Sequence, residues 1–162
     1  MNNFPEFDME SMGGNSSFKF SPIENIASIP DAINDVITSD VVFKPGCAWY
    51  DGLALQNSLD FSEEQKKSDA GESFQTNISG MVPKLTHEYL AQFNEMRRHR
   101  FVVQITDNNG NARISGSVLA GMQFAFDQKS KNTPSGTSGF SYSFSLDHED
   151  PSPFLVSVPV LS

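Results

Sequence analysis

The chain has 162 residues, a formal net charge of −9 and a single cysteine, Cys47. This length is enough for one domain with an ordinary core. The single cysteine excludes a disulfide framework and a zinc site built on cysteines. Residues 1–72 carry 13 Asp and Glu against 4 Lys and Arg, whereas residues 73–162 carry 7 of each. An acidic chain is poorly suited to hold duplex DNA, because neutralising phosphates needs clustered Lys and Arg. Specific nucleic-acid binding is therefore not expected.

The first segment, residues 1–17, is predicted to be a flexible N-terminal arm. Phe4 and Phe7 lie among Asn, Glu, Asp and Ser, and Gly13-Gly14 follows as a joint. Apolar residues on a mobile arm can dock on a neighbouring subunit and fold as they bind. Phe4 and Phe7 are therefore candidates for contacts between subunits. The segment lacks the apolar core of a signal peptide, so no export is expected.

Residues 18–148 are predicted to form a single β-rich domain. Its clearest element is a hairpin at 100–116, in which Phe101, Val103 and Ile105 alternate with other residues as in a strand with one buried face. The turn contains Asn109-Gly110, and this dipeptide tolerates the positive φ angles of tight hairpin turns. The predicted fold is mainly β, an antiparallel β-sandwich or rolled sheet with one flanking helix.

That helix is predicted over about 86–98. Thr86 is a plausible N-cap, and the apolar residues have helical spacing: Tyr89, Leu90, Phe93 and Met96. Arg97, Arg98 and Arg100 form a basic cluster at its end. The cluster suits the negative end of the helix dipole, or alternatively a contact with an acidic neighbouring copy.

The segment before the helix, residues 58–71, is polar and highly charged. Glu63 and Lys67 are four residues apart, which favours one exposed helical turn or a loop tip.

A second, longer hairpin is predicted at about 118–147. Its arms alternate aromatic and small residues, and its polar tip carries Lys129 and Lys131, candidates for contacts with a partner. The remaining residues, 149–162, form a proline-rich apolar tail with Phe154, Leu155 and Val156. The prolines argue against a central strand, so the tail is expected to bury itself on its own domain or on a neighbour.

Chemistry-bearing patterns are sparse in the sequence. His87, His99 and His148 have no second His or Cys at metal-ligand spacing, and the cluster at 147–150 is better explained as the end of a strand. No nucleophile motif and no phosphate loop is present. No stretch approaches the roughly 18 apolar residues of a membrane span. We therefore expect no catalytic residues, no cofactor, no metal site and no membrane contact.

The run RFVVQITDNNGNARISGS, the strand QFAFD and the segment GFSYSFSLDHEDPSPFL resemble small virion proteins of Bacteroidetes phages and prophages. The resemblance covers about residues 68–154. It implies a plan similar to tail tube, tail terminator and head–tail connector subunits, in which copies close into a ring around the DNA channel. It further implies a non-catalytic structural protein of the phage tail or neck, made in the cytoplasm of the bacterial host, with other tail or neck proteins as partners.

An alternative is a β-sandwich binding module, such as a capsid decoration protein or a receptor- or glycan-binding domain. It predicts exposed aromatic residues grouped on one concave face, with Trp49, Tyr50 and Tyr142 as candidates.

Overall fold

A computed structural model describes residues 1–4, 17–54, 58–83, 86–106, 111–129 and 139–155. Within these ranges the chain is mainly β with one α-helix, as the sequence predicts. The elements are β1 (Ser17–Pro22), β2 (Ile26–Ser28), β3 (Val36–Ile37), β4 (Val42–Phe43), β5 (Tyr50–Gly52), β6 (Asp60–Ser68), β7 (Gly71–Val82), α1 (His87–Met96), β8 (Arg100–Thr106), β9 (Ala112–Ser115), β10 (Met122–Lys129), β11 (Gly139–His148) and β12 (Phe154–Leu155).

Strand β8 is the junction of the fold. It pairs antiparallel with β1 over its length, while its other edge is shared between β9 and the start of β10. From β8 the sheet continues in two branches. One branch runs through β10, β11, β7 and β6, and the other runs through β9, β12 and β3. The predicted hairpin at 100–116 is confirmed in its two arms, while its turn, residues 107–110, lies outside the described residues.

The main core is aromatic and lies between the two parts of the sheet. Phe18 on β1 faces Tyr142 on β11 at 5.8 Å between ring centroids, and Phe20 faces Phe144 at 6.3 Å. All four rings are almost completely buried. Such packing across two facing β layers is the arrangement of a β-sandwich. The predicted long hairpin supplies much of it, because β10 and β11 pair in register from Gln123 to Lys129.

Helix α1 packs on this core. The hydroxyl oxygen of Thr86 accepts a hydrogen bond from the backbone N–H of Tyr89 at 3.4 Å, which confirms the predicted N-cap. Tyr89, Phe93 and Met96 are buried as predicted. Leu90, expected in the same apolar stripe, is instead 40% exposed, so the buried face is narrower than the sequence indicates.

A smaller core lies on the opposite face of β8. Val102 is fully buried there with Ile26, Ile37 and Ile114, beneath the short pair of β2 and β4. Strand β8 is thus buried on both faces, whereas its alternating pattern predicts only one buried face. The reason is that Val102 belongs to the apolar run 101–103, and such runs are typical of strands covered on both sides.

The charged segment 58–71 is a strand for most of its length, so the predicted helical turn or loop is wrong. β6 pairs antiparallel with β7 from Asp60 opposite Ser79 to Ser68 opposite Gly71. As an outer strand it keeps most side chains in water, so charged residues are compatible with it.

The first residues of the predicted flexible arm belong to the core. Phe4 is only 3% exposed, and its ring lies 5.2 Å from that of Phe20 and 5.3 Å from that of Phe93. Its backbone N–H donates to the carbonyl of Asp51 at 2.9 Å. The prediction that Phe4 contacts a neighbouring subunit is therefore corrected, because the chain's own aromatic core already encloses it.

The proline-rich tail joins the chain's own sheet at β12. Phe154 and Leu155 pair in parallel with β3 and antiparallel with β9. The expectation that prolines exclude an inner strand is therefore wrong. Pro151 and Pro153 precede the two paired residues, so neither of them occupies a ladder position of the strand itself.

Candidate functional site

A cleft of about 450 Å³ has mixed polar and apolar walls. It lies between the loop that precedes β3, the start of the β9–β10 connection, and the segment from the end of β11 to β12. Ile37, Ile114 and Leu146 provide apolar walls. The exposed carboxylates of Asp31, Asp35 and Asp150 lie at its border.

Ile33 through Val36 form a tight turn beside this cleft. Ile33 and Val36 exchange both backbone hydrogen bonds, at 2.9 and 3.1 Å, and Asn34 and Asp35 have φ angles of 54° and 63°. Asn and Asp tolerate this left-handed conformation better than most residues. The turn exposes 74% of Ile33. The loop is thus held in a defined shape with an apolar side chain at its end.

A hydrogen-bonded polar group next to the cleft connects β6, β7, β9 and the C-terminal segment. One carboxylate oxygen of Glu63 accepts from the hydroxyl of Thr76 at 2.8 Å, and from the N–H and hydroxyl of Ser152 at 2.9 and 2.7 Å. The hydroxyl oxygens of Ser152 and Ser115 are 2.8 Å apart. Because Ser152 gives its only hydroxyl proton to Glu63, Ser115 donates to Ser152.

Through these hydrogen bonds Ser152 connects the C-terminal segment to Glu63 on β6 and to Ser115 on β9. Nearby, the Nδ1 atom of His148 accepts from the backbone N–H of Asp150 at 3.1 Å. The arrangement therefore fastens the C-terminal segment to the sheet.

Arg113 on strand β9 makes a second contact between β6 and the C-terminal segment, next to this polar group. The guanidinium carbon of Arg113 lies 5.0 Å from the ring centroid of Phe61 on β6 and 4.5 Å from that of Phe154 on β12. A cation between two aromatic faces is attracted to both rings. The predicted contact residue Phe154 is therefore engaged within its own chain, although 37% of it is exposed.

The basic cluster lies where α1 ends and β8 begins. Arg97, Arg98 and Arg100 are all exposed. Arg97 donates to the side chain of Asn94 at 2.7 Å, and none of the three arginines pairs with a carboxylate of the described residues. His99, between them, has its Nδ1 3.3 Å from Glu24. The cluster is a cationic surface on an acidic chain, with no neutralising partner in the described part of the molecule.

An apolar turn joins β9 to β10. The N–H of Ser117 donates to the carbonyl of Ala120 at 2.8 Å, and the hydroxyl of Ser117 accepts from the N–H of Ala120 at 3.0 Å. At its end Leu119 is 99% exposed and the adjacent Val118 37% exposed. The long hairpin predicted to begin at about residue 118 instead begins at Met122, the first residue of β10, and Val118 belongs to this exposed turn.

The structure describes two of the remaining predicted contact residues, Leu155 and Lys129. Leu155 is half-buried beside the smaller core. Lys129 is the last residue of β10, opposite Gly139. The others, Phe7, Lys131 and Val156, lie outside the described residues.

The aromatic residues suggested for glycan binding are not grouped on an open face. Tyr142 is only 2% exposed, and its hydroxyl donates to the carbonyl of Leu53 at 2.7 Å. Trp49 is half-buried against Phe43, with ring centroids 5.2 Å apart, and Tyr50 packs on Phe20. Tyr142 is therefore wrong as a candidate ligand-binding residue, because the main core encloses it.

Two tyrosines of the core, Tyr89 and Tyr142, have raised pKa values. Burial raises the pKa of Tyr89 to about 12, with a smaller contribution from the charge of Glu88. Burial also raises the pKa of Tyr142 well above its usual value. Both shifts extend the range in which the phenols stay protonated to pH values above the ordinary pKa of 10.0.

No group of three or more His, Cys, Asp or Glu side chains in the described ranges is arranged to hold a metal ion. Among the same residues, no helix combines the length and the apolar character that crossing a bilayer requires.

Comparisons with models of protein families, with curated proteins and with solved structures found no match to this chain.

Proposed function

We propose that this chain is a non-catalytic structural subunit of a phage virion, which assembles into a ring at the tail or the neck around the DNA channel. The proposal rests on the resemblance of residues 68–154 to small virion proteins. The mainly β fold with one helix and a long hairpin is compatible with the plan of such subunits. The acidic chain would also let DNA pass without holding it.

The observation that carries the proposal furthest is the cationic surface of Arg97, Arg98 and Arg100. On a chain of net charge −9, these exposed side chains have no carboxylate partner among the described residues. The border of the cleft supplies a complementary surface, the exposed carboxylates of Asp31, Asp35 and Asp150.

Contact between these two different surfaces on adjacent copies would be head-to-tail. Such a contact generates a ring when the rotation between copies closes. Charge complementarity fixes the orientation of the partners and speeds their encounter. We propose this charged contact instead of a contact between copies through the apolar N-terminal arm and C-terminal tail, because Phe4 and Phe154 already pack within their own chain.

Charge-reversal variants test this arrangement. Arg98→Glu with Arg100→Glu should abolish ring formation, and so should Asp31→Lys with Asp150→Lys. All four substitutions together should restore rings, because the complementarity is then inverted but intact. Lys44→Glu is a matched control at another exposed position and should leave rings unchanged.

Native mass spectrometry and negative-stain electron microscopy measure the assembly, and antibody labelling of purified particles measures its place in the virion. Rings that contain the wild-type chain, with label at the tail or neck, are the expected result. A chain that remains monomeric at high concentration and is absent from particles would contradict the proposal.

A further inference from the structure

Strand β6 is the outer strand at one end of the sheet. It pairs with β7 on one edge, and its other edge has no strand partner within the described part of the chain. This edge is nine residues long, from Asp60 to Ser68. An unpaired strand edge presents backbone N–H and C=O groups that can pair with another strand.

The charges along this strand have an internal symmetry. Its centre reads Glu63-Glu64-Gln65-Lys66-Lys67, two acidic residues, one neutral residue and two basic residues. In an antiparallel copy the order of charges is reversed, so each acidic residue meets a basic one. We propose that two copies of the chain pair through their β6 edges, antiparallel, about a two-fold axis at Gln65.

The register follows from the geometry of identical strands. In an antiparallel pair, two directly opposite residues either both point their backbone N–H and C=O groups into the gap between the strands or both point them away from it. Along one strand, residues that point into the gap alternate with residues that point away. When two identical strands pair, the two residues of every opposite pair must therefore both have odd numbers or both have even numbers. The sum of the two numbers is then even. The axis must then pass through a residue, and the charged centre offers Glu64, Gln65 or Lys66.

Only the axis at Gln65 gives complementary charges. It places Glu64 opposite the second copy's Lys66 and Glu63 opposite its Lys67. An axis at Glu64 places two carboxylates opposite each other, and an axis at Lys66 places two ammonium groups opposite each other. Like charges directly opposite across strands destabilise the pairing, so these registers are disfavoured.

The side chains that would form the new ion pairs are free to do so. Glu64 and Lys66 are exposed, and neither makes an ion pair with a described residue. Glu63 and Lys67 already have partners, since Glu63 binds Thr76 and Lys67 lies 3.6 Å from Glu72. The specificity of the contact therefore lies mainly in two symmetric pairs between Glu64 and Lys66.

The contact is expected to be concentration-dependent and sensitive to salt, because exposed ion pairs are individually weak and are screened by ions. The inference stands apart from the proposed ring. A two-fold contact uses the same surface on both copies, whereas a ring needs two different surfaces. Either contact can therefore fail without the other.

Sedimentation equilibrium at low salt tests the charge complementarity. Glu64→Lys places lysines opposite each other twice, so the dimer dissociation constant should rise about tenfold or more. The double variant Glu64→Lys with Lys66→Glu inverts both charges and should restore dimerisation. Both positions are exposed, and circular dichroism verifies that the variants keep the fold. A wild-type chain that stays monomeric, or a Glu64→Lys variant that dimerises normally, would overturn the proposal.

Cysteine cross-linking tests the register directly, in a Cys47→Ser background. Gln65→Cys brings two thiols to opposite positions, where the distance of about 4.5–5.5 Å between Cα atoms suits a disulfide. Ser62→Cys is the matched control on the same exposed strand, because its thiols would lie about 20 Å apart. Faster cross-linking of Gln65→Cys supports the proposed axis. Equal rates for the two variants would exclude that axis.

Discussion

The carboxylate of Glu63 on β6 accepts two hydrogen bonds from Ser152, from its backbone N–H at 2.9 Å and from its hydroxyl at 2.7 Å. Pro151 and Pro153 on either side have no N–H, so Ser152 supplies the one backbone donor of this short segment. The contact therefore holds the approach to β12 against the outer strand of the sheet.

Replacing Glu63 with Ala should lower the free energy of unfolding by about 1–3 kcal/mol, the cost of leaving a buried polar group without its partner. The hydroxyl of Thr76 is the group affected most, since Thr76 is only 2% exposed. Urea denaturation followed by circular dichroism measures the change.

Glu64→Ala is the matched control for this prediction, because the neighbouring carboxylate is exposed and makes no ion pair with a described residue. Its effect should be within about 0.5 kcal/mol. Equal effects of the two substitutions would show that the bonds of Glu63 do not stabilise the fold.

Phe4→Ala should destabilise the protein by about 3–5 kcal/mol, as expected when a large aromatic side chain is removed from a packed core. Phe4 contacts five core rings, those of Phe18, Phe20, Tyr89, Phe93 and Tyr142. Thermal and urea unfolding measure the loss. Leu119→Ala, at a side chain 99% exposed, should change stability by no more than about 0.5 kcal/mol. A Phe4→Ala variant as stable as wild type would mean that the N-terminal residues leave the core in solution.

Stability should fall as the pH rises from 10 toward 12. The folded-state pKa of Tyr89 is raised to about 12 from an ordinary value of 10.0, and burial also raises that of Tyr142. For a group with a raised folded-state pKa, the stabilisation is complete below the unfolded pKa and is lost as the pH passes through the folded one. Urea midpoints measured across this range should decrease steadily.

The variant that carries both Tyr89→Phe and Tyr142→Phe is the control for the alkaline transition. It has no phenol at either position, so its urea midpoint should depend less steeply on pH above 10. An unchanged dependence would assign the alkaline loss of stability to other groups.

Arg113→Lys should cost about 0.5–2 kcal/mol, although the charge is kept. The planar guanidinium stacks on aromatic rings in a way that an ammonium group does not, and Arg113 lies between Phe61 and Phe154. Arg98→Lys, at an exposed arginine, serves as the control and should have an effect close to zero. Denaturant unfolding compares the two variants, and similar losses would argue against a special role for the stacked arginine.

Local sequence patterns identified the regular parts of this fold. The alternating residues of β8, β10 and β11 and the helical spacing of Tyr89, Phe93 and Met96 depend on neighbours in the chain, so they can be recognised without the structure. The exposed arginines after α1 were found in the same way, from charge at the end of a helix.

The missed elements depend on contacts distant in sequence. β6 is rich in charge and has helical pair spacing, and only its pairing with β7 makes it a strand. β12 has two residues, and its partners are about 40 and 120 positions away. Phe4 is a single apolar residue without periodicity. The bonds of Glu63 to Ser152 join residues 89 positions apart, beyond any local pattern.

The place of β12 between β3 and β9 has a consequence for synthesis of the protein. Val36 and Ile37 leave the ribosome long before their strand partners Phe154 and Leu155, which lie about 120 positions later in the chain. This end of the sheet cannot close until those two residues have been synthesised and have left the ribosome. Until then the apolar residues of the smaller core lack part of their cover, and that interval is when the nascent chain is most exposed to aggregation or capture by chaperones.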